Sequence, residues 1–329
     1  MNFELILANG LHGALGATAI AFILAAIGLN IHFGYTGLLN FGQVGFMLVG
    51  AYGAAVSVEF GLSLWLGILV GIACAVVLAL ILGIPALRLR ADYLAISTIA
   101  AGEALRLFYR SDAAEPVTGG VFGLTGVGRD FYDLNPIPRG SYDFGVIEMT
   151  SREVWTRSVG WGLVLLAVIL VYFLIHSPWG RVLRSIREDE DAARSLGKNV
   201  YAYKLQSLVL GGVIGSIGGI LWVVHRQSVT PDGFDPVVTF FLYTMLVLGG
   251  AGRVLGPVIG GLLFWFILRS FETFLDEAMR AGYIPAAIME PADIGAARYV
   301  IVGIGLLLLM VYRPQGILGK RKEMVLDVR

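Results

Sequence analysis

The sequence predicts an all-α fold, a polytopic transmembrane helical bundle of about 8–10 spans. Three observations carry this expectation. Of 329 residues, 57% are hydrophobic, and the mean hydropathy is +0.78. Only 15% are charged, against about 25% in soluble domains. Apolar runs of about 20 residues recur, the length that crosses a bilayer as helix, and most lack a polar face.

Taken in order, the spans read as 11–31, 36–57, 62–84, 92–109, 159–176, 204–224, 237–251, 255–272 and 298–312. The first has no basic segment before it and no A-x-A-like site, so it reads as retained. The span 36–57 is interrupted by glycines and 237–251 is short, so both are candidates for discontinuous helices. Irregular backbone at membrane depth survives only where protein or a cavity satisfies it.

Lysine and arginine set the orientation. None precedes Arg88. They then cluster at Arg88 and Arg90, from Arg181 to Lys204, at Arg253, and at Arg313 with Lys320, Arg321 and Lys322. Placing all four clusters in the cytoplasm gives a consistent alternation, with the N-terminus outside and the C-terminus inside. The main outer loop is then 110–157, with 225–236 and 273–297 as smaller ones. Residues 177–203 form a cytoplasmic loop and 313–329 a cytoplasmic tail. The whole chain, 1–329, reads as one transmembrane domain.

Glycines recur at four-residue spacing at Gly211, Gly215 and Gly219, and at Gly252, Gly256 and Gly260. This small-xxx-small pattern lets helices approach closely, as fixed packing or as a sliding seam. Two glycine-interrupted stretches, 36–55 and 246–264, pair across the halves of the chain. Such pairs point to inverted repeats with discontinuous helices.

No catalytic constellation is present. The chain has no G-x-x-x-x-G-K-[ST] loop and no H-E-x-x-H. Its histidines, His12, His32, His176 and His225, are scattered, and Cys74 is the single cysteine. Neither metal nor cofactor is called for, and zero net charge gives no sign of nucleic acid.

Polar residues inside apolar spans carry more weight, because they are costly there. Glu103 has Arg106 one turn away. The two form an ion pair near the outer interface that helps fix the helix, or Glu103 is a polar wall of a transport path or a contact to a neighbouring helix. Asn40 and Gln43 are also one turn apart. They satisfy backbone freed by the glycines around them, or they line the path. The spans offer almost no other ionisable group. That argues against a proton- or sodium-coupled carrier and leaves the energy source outside the chain.

The stretch "SIREDEDAARSLGKN" (185–199) is a charged island between apolar spans. Read as one helix over 183–200, it gathers Leu183, Ile186, Ala193, Leu196 and Val200 near one face. Arg187, Glu188, Asp191 and Arg194 spread over the rest. Gly197 suits a C′ position, and Lys198 then lies at the negative helix end. The island is a docking helix for a groove in a partner, or a solvated loop that only sets orientation.

Within it, "DAARSLG" (191–197) resembles the "EAA…G" loop of permease subunits of bacterial ABC importers. Asp191 stands at the glutamate position, and Ala192, Ala193 and Gly197 match. The wider "GRVLRSIREDEDAARSLGKNVYAYKL" (180–205) is similar to the version in branched-chain amino acid permeases of the LivM type. "TGLLNFGQVGFMLVGAYGAA" (36–55), "TGGVFGLTGV" (118–127) and "RPQGILG" (313–319) resemble that family's second-span, outer-loop and C-terminal motifs. The I-x-L-P ending of the broader pattern is absent.

The resemblance implies a permease of the bacterial cytoplasmic membrane that does not itself hydrolyse ATP. Its partners would be a homologous permease subunit, two cytoplasmic ATP-binding subunits, an extracytoplasmic solute-binding protein, a small-molecule solute and the lipid bilayer. Arg187, Glu188, Asp191, Ala192, Ala193, Leu196 and Gly197 would couple it to the ATPases, and the outer loops 110–157 and 225–236 would meet the binding protein. Branched-chain amino acids are the expected solute. Related permeases carry urea, short amides or other small solutes, and a stand-alone channel or secondary carrier is the other reading.

Overall fold

The computed structural model describes residues 2–143, 145, 148–283, 294–312 and 316–318. A short helix α1 (Phe3–Ala14) precedes α2 (Ala17–Leu29), which runs into a π-helical segment, Asn30–Thr36. Then come α3 (Gln43–Glu59), α4 (Leu64–Ala86) and α5 (Ala91–Arg110). The next loop holds α6 (Glu115–Thr118), β1 (Leu124–Thr125), α7 (Arg129–Asp133) and a hairpin of β2 (Ser141–Asp143) and β3 (Glu148–Thr150). After α8 (Ser151–His176) come α9 (Pro178–Glu188), α10 (Glu190–Ser195) and α11 (Val200–Arg226). The chain ends with β4 (Ser228–Val229), a 3-10 turn (Pro231–Phe234), α12 (Val237–Gly249), α13 (Gly256–Arg280) and α14 (Ile294–Tyr312).

Among the described residues, five helices are long and apolar enough to cross a membrane: 17–36, α4, α8, α11 and α13. They divide into a centre and a rim. The apolar window of 17–36 is 89% buried and that of α11 78%, while α4 and α8 reach only 28%. Between its buried ends Leu64 and Ala86, α4 buries Gly67, Gly71, Ala75, Ala79 and Gly83, one row of small residues. Its large side chains, among them Leu69, Val77, Ile81 and Ile84, point outward. An apolar outer face on a small-residue inner seam is what lipid on one side and a close helix on the other require.

The central helices run antiparallel. Gly211 lies against Gly28, and Gly218 against Ala21 and Ala25. On its other side α11 presses Gly212 onto Phe46 and Gly219 onto the backbone of Met47 in α3. The glycine row therefore serves close packing between α2 and α3.

The packing repeats itself. Helix α3 packs on α4, and α4 on α11; in the other half α12 packs on α13, and α13 on α2. Exchanging α2–α5 for α11–α14 maps one set of neighbours onto the other. This corrects the register read from sequence. The stretch 36–55 is the turn into α3 and most of α3, whereas 246–264 is the end of α12, a turn and the start of α13. By packing, the counterpart of α3 is α12.

Several other boundaries differ from expectation. The first apolar span is cut at Gly16, whose extended backbone (ψ 158°) separates α1 from α2. Helix α8 starts at Ser151, not 159, because Thr150 and Glu153 form a reciprocal capping box. Helix α13 continues to Arg280, into the expected outer loop 273–297. That loop's Pro285 and Pro291, and the tail's Arg313, Lys320, Arg321 and Lys322, lie outside the described residues. Of the motif 313–319, Gly316–Leu318 is described, and it binds the end of α12 through Ile317 N–H to Leu248 O (3.0 Å) and Leu318 N–H to Gly249 O (3.1 Å).

The expected outer loops 110–157 and 225–236 join. Strands β1 and β4 pair antiparallel, Leu124 with Val229 and Thr125 with Ser228. Gly123, at φ 69°, sits directly against Val229 O, where a side chain has neither the conformation nor the room. At the opposite end of the bundle, Arg88 and Arg90 lie in one groove with Arg194, Lys198 and Lys204. Arg253 is in the same region through Asn30. Three of the basic clusters thus share one end.

Gly219→Leu is expected to cost about 1–3 kcal/mol or more, because the backbone of Met47 cannot retreat. Gly162→Leu, where a side chain meets open space, is expected to be neutral. Thermal unfolding of the purified variants, followed by size-exclusion recovery, checks the contrast.

Candidate coupling site

The island is two helices, not one. Pro178 starts α9, and Arg184 ties it to α8 by donating to Ile175 O (2.6 Å). Asp189 breaks the helix with an extended backbone (φ −155°, ψ 107°), and its carboxylate then accepts from Ala192 N–H (2.9 Å) as the N-cap of α10. Helix α10 closes in a Schellman motif. Gly197 N–H reaches Arg194 O and Lys198 N–H reaches Ala193 O (3.0 and 3.2 Å), with Gly197 left-handed at φ 77°. The expected C′ glycine is therefore in place.

The coupling residues divide into inward and outward groups. Ala193 is 2% exposed and packs on Ile186 and Val200. Leu196, placed on that packed face by the single-helix reading, is 79% exposed. The break at Asp189 rotates α10, so that Ala192 and Leu196 face out beside Asp191 and Gly197. Asp191 pairs with Arg194 (3.0 Å), which also holds Glu190 (3.0 Å), and Lys204 pins Glu190. Glu188 is exposed. Arg187 turns inward and donates to Gly34 O in the π-helical segment.

That segment is the seat of the loop. Asn30 accepts from Gly252 N–H (2.9 Å) and donates to Arg253 O (2.8 Å), holding the α12–α13 turn. Thr36 donates to Ile31 O (2.8 Å) and lies 2.7 Å from the Ser207 hydroxyl. His32 Nε2 is 3.1 Å from Leu208 O, so this nitrogen carries the proton. Nδ1 is then free to accept from Asn40 Nδ2 (3.1 Å).

Asn40 and Gln43 continue this network. Asn40 Nδ2 also donates to Gln43 Oε1 (3.1 Å), and Asn40 Oδ1 accepts from Gly42 N–H (2.9 Å). Gln43 Nε2 donates to Ala25 O (3.3 Å) and Gly211 O (3.1 Å). Tyr243 donates to Asn40 O (3.1 Å), which brings in α12. Both side chains are fully buried, and each of their polar atoms is engaged. In this conformation they satisfy backbone and one another.

Glu103 lies elsewhere, away from the coupling end. It accepts from Arg106 through both oxygens (2.8 and 2.6 Å). Arg106 also reaches Asp232 (2.9 Å), which Arg110 approaches at 3.3 Å. The group joins α5 to the turn 231–234. The structure does not bring Glu103 together with Asn40 and Gln43.

Sequence reading missed Asn30, His32 and Thr36. Their signal was available: polar residues spaced over "NIHFGYT" directly after an unbroken apolar run. The capping box at Thr150 was legible in the same way, as T-x-x-E.

A long-helix bundle with a charged two-helix loop seated on irregular central backbone defines a polytopic membrane protein. A family model described as the permease component of branched-chain amino acid transport systems matches residues 14–312. The chain belongs to this family. It is 28% identical over 310 residues to the high-affinity branched-chain amino acid transport system permease protein LivM of Escherichia coli, covering 90% of this chain and 67% of that one. It is 27% identical to a probable LivM of Methanocaldococcus jannaschii, with 91% of each covered. It is 26% identical to the nucleoside ABC transporter permease protein NupC of Lactococcus lactis, over 83% and 84%.

Gln43→Leu is expected to destabilise the protein by about 1–3 kcal/mol, since Asn40 and two carbonyls lose a buried partner. Thermal unfolding in detergent measures this.

Proposed function

We propose that the chain is the membrane permease subunit of an ATP-driven importer of branched-chain amino acids in the cytoplasmic membrane. It pairs with a homologous permease subunit, and the two form the solute path at their interface. Two cytoplasmic ATP-binding subunits supply the work. An extracytoplasmic binding protein delivers the solute to the joined outer loops. The N-terminus lies outside and the C-terminus inside.

The observation that carries this reading is the outward pair Ala192 and Leu196 on a helix whose neighbour, α9, holds the π-helical segment through Arg187. A large apolar side chain in water beside small residues is the form of a helix that fits a partner's groove. A push on α10 is relayed by α9 to Gly34, and from there to Asn30 and the α12–α13 turn. Glu188, Asp191 and Gly197 frame the contact, while Ala193 holds α10 in place from within.

Within this reading Glu103 steadies the outer end of α5. Asn40 and Gln43 border the path only in a conformation that opens the α2–α3–α11 contact. The choice of solute falls largely to the binding protein, as the nucleoside permease among the relatives suggests.

Co-purification tests the assembly: a stable complex with two ATP-binding chains is expected, and solute uptake by this chain alone would sink the proposal. Uptake into proteoliposomes of the full complex, with a panel of amino acids, nucleosides, urea and amides, tests the solute. Leu196→Asp is expected to weaken ATPase association by about tenfold or more while the membrane chain stays folded. Arg187→Met is expected to keep the complex but lower the solute moved per ATP. Bulky residues at Ala193 are expected to dislodge α10 itself, so they are poorer probes than Leu196.

A further inference from the structure

At the end of the bundle opposite the coupling loop lies a polar cavity of about 440 Å³. It is bounded by the end of α1, the starts of α2 and α8, the end of α11 and the outer half of α13. None of the four family motifs quoted above lies in it.

Its chemistry is unusual for a membrane protein. Arg157 lines it and is only 7% exposed. One guanidinium nitrogen, Nη2, meets His12 Nε2 at 2.7 Å. A ring nitrogen that accepts from a guanidinium carries no proton, so this partner is neutral. The other, Nη1, is buried with no hydrogen-bond partner. The nearby Glu153 is held by the Thr150 cap and approaches His12 at 3.7 Å. It makes no hydrogen bond to Arg157 among the described residues. A buried cation left short of acceptors is costly, and an anionic oxygen relieves it.

The other wall has the opposite character. Helix α13 places Glu272 and Asp276 one turn apart on the cavity. Arg269 pairs with Glu272 at 2.9 Å and lies over Trp265, whose ring is part of the lining. The cavity thus offers an acceptor-seeking cation on α8 and, on α13, Glu272 paired with Arg269, Asp276 4.0 Å from Arg280, and the aromatic Trp265.

We propose that this cavity binds a free α-amino acid, with Arg157 receiving its carboxylate, Glu272 and Asp276 its ammonium, and Trp265 its apolar side chain. A planar guanidinium matches a carboxylate with paired hydrogen bonds. The proposal deepens the importer reading and rests on it for the solute class. It gives this subunit its own contact with solute at the outer side, before the central path opens.

The test uses the full complex in lipid nanodiscs, without binding protein. L-leucine is titrated against tryptophan emission, with the Trp265→Phe complex as background. L-leucine is expected to change the Trp265 signal, while leucinamide, lacking the carboxylate, and 4-methylpentanoate, lacking the ammonium, bind at least about tenfold more weakly. Arg157→Gln is expected to weaken L-leucine by a similar factor. Asp276→Asn, at a half-exposed position, keeps the proposal testable if Arg157→Gln fails to fold. It is expected to weaken L-leucine and leave 4-methylpentanoate unchanged. No response to L-leucine, equal binding of the three compounds, or an unchanged constant in a folded Arg157→Gln or Asp276→Asn complex would overturn the assignment. ATP-driven leucine uptake by the same purified complex, reconstituted into proteoliposomes with the binding protein inside or outside as its orientation requires, separates the two ideas. Uptake without a Trp265 response leaves the importer and removes the cavity. Binding without uptake keeps the cavity and removes the importer.

Discussion

Irregular backbone in the middle of an apolar bundle must have every polar group satisfied from within. The segment from Asn30 to Gly42 meets this constraint largely through its own polar side chains, the Tyr35 hydroxyl being the buried exception, and the rest of the structure is arranged around it. Asn30, His32, Thr36, Asn40 and Gln43 supply the side-chain partners, and they draw in the backbone of α2, α11 and the α12–α13 turn. Glycines in α11 are needed because these side chains occupy the space where larger residues would sit. The charged loop needs the same segment, since Arg187 ends on one of its carbonyls. Packing, polar satisfaction and the seat of the coupling helices thus share one stretch of about a dozen residues.

The class of fold was open to reading because lipid imposes it directly on composition. Runs of apolar residues mark α4, α8 and α11 with little ambiguity, and the family motifs fall where the coupling loop and the outer loops lie. What resisted reading was local direction. The sense of Leu196 depends on one residue, Asp189, leaving the helical region, and the apolar periodicity on either side gives no warning of it. The register of the repeat was misread because both stretches compared were rich in glycine, a composition that turns and close helix contacts share. The inward role of Asn40 and Gln43 depends on partners some 170 residues away in sequence, which no local pattern reveals.

The two ends of the bundle are built on different physics. At one, backbone pairing of β1 with β4 and the Arg106–Asp232 contact join loops from the two halves of the chain. At the other, Ala192 and Leu196 stand outward on a helix pair held by Arg184, Arg187, Lys204 and the packing of Ala193. The first joins elements broadly; the second rests on the segment from Asn30 to Thr36. Asn30 links that segment to the turn that opens α13.

The burial of α2 has a consequence in time. Leu29 ends α2 and Val200 begins α11, so at usual synthesis speeds the two are made roughly 9–34 s apart. Throughout that interval the first-made helix is without the neighbour that covers it, and His32 and Gln43 lack their carbonyl partners on α11, Leu208 and Gly211. Biogenesis must therefore shelter a half-built polar centre from lipid until the second half arrives.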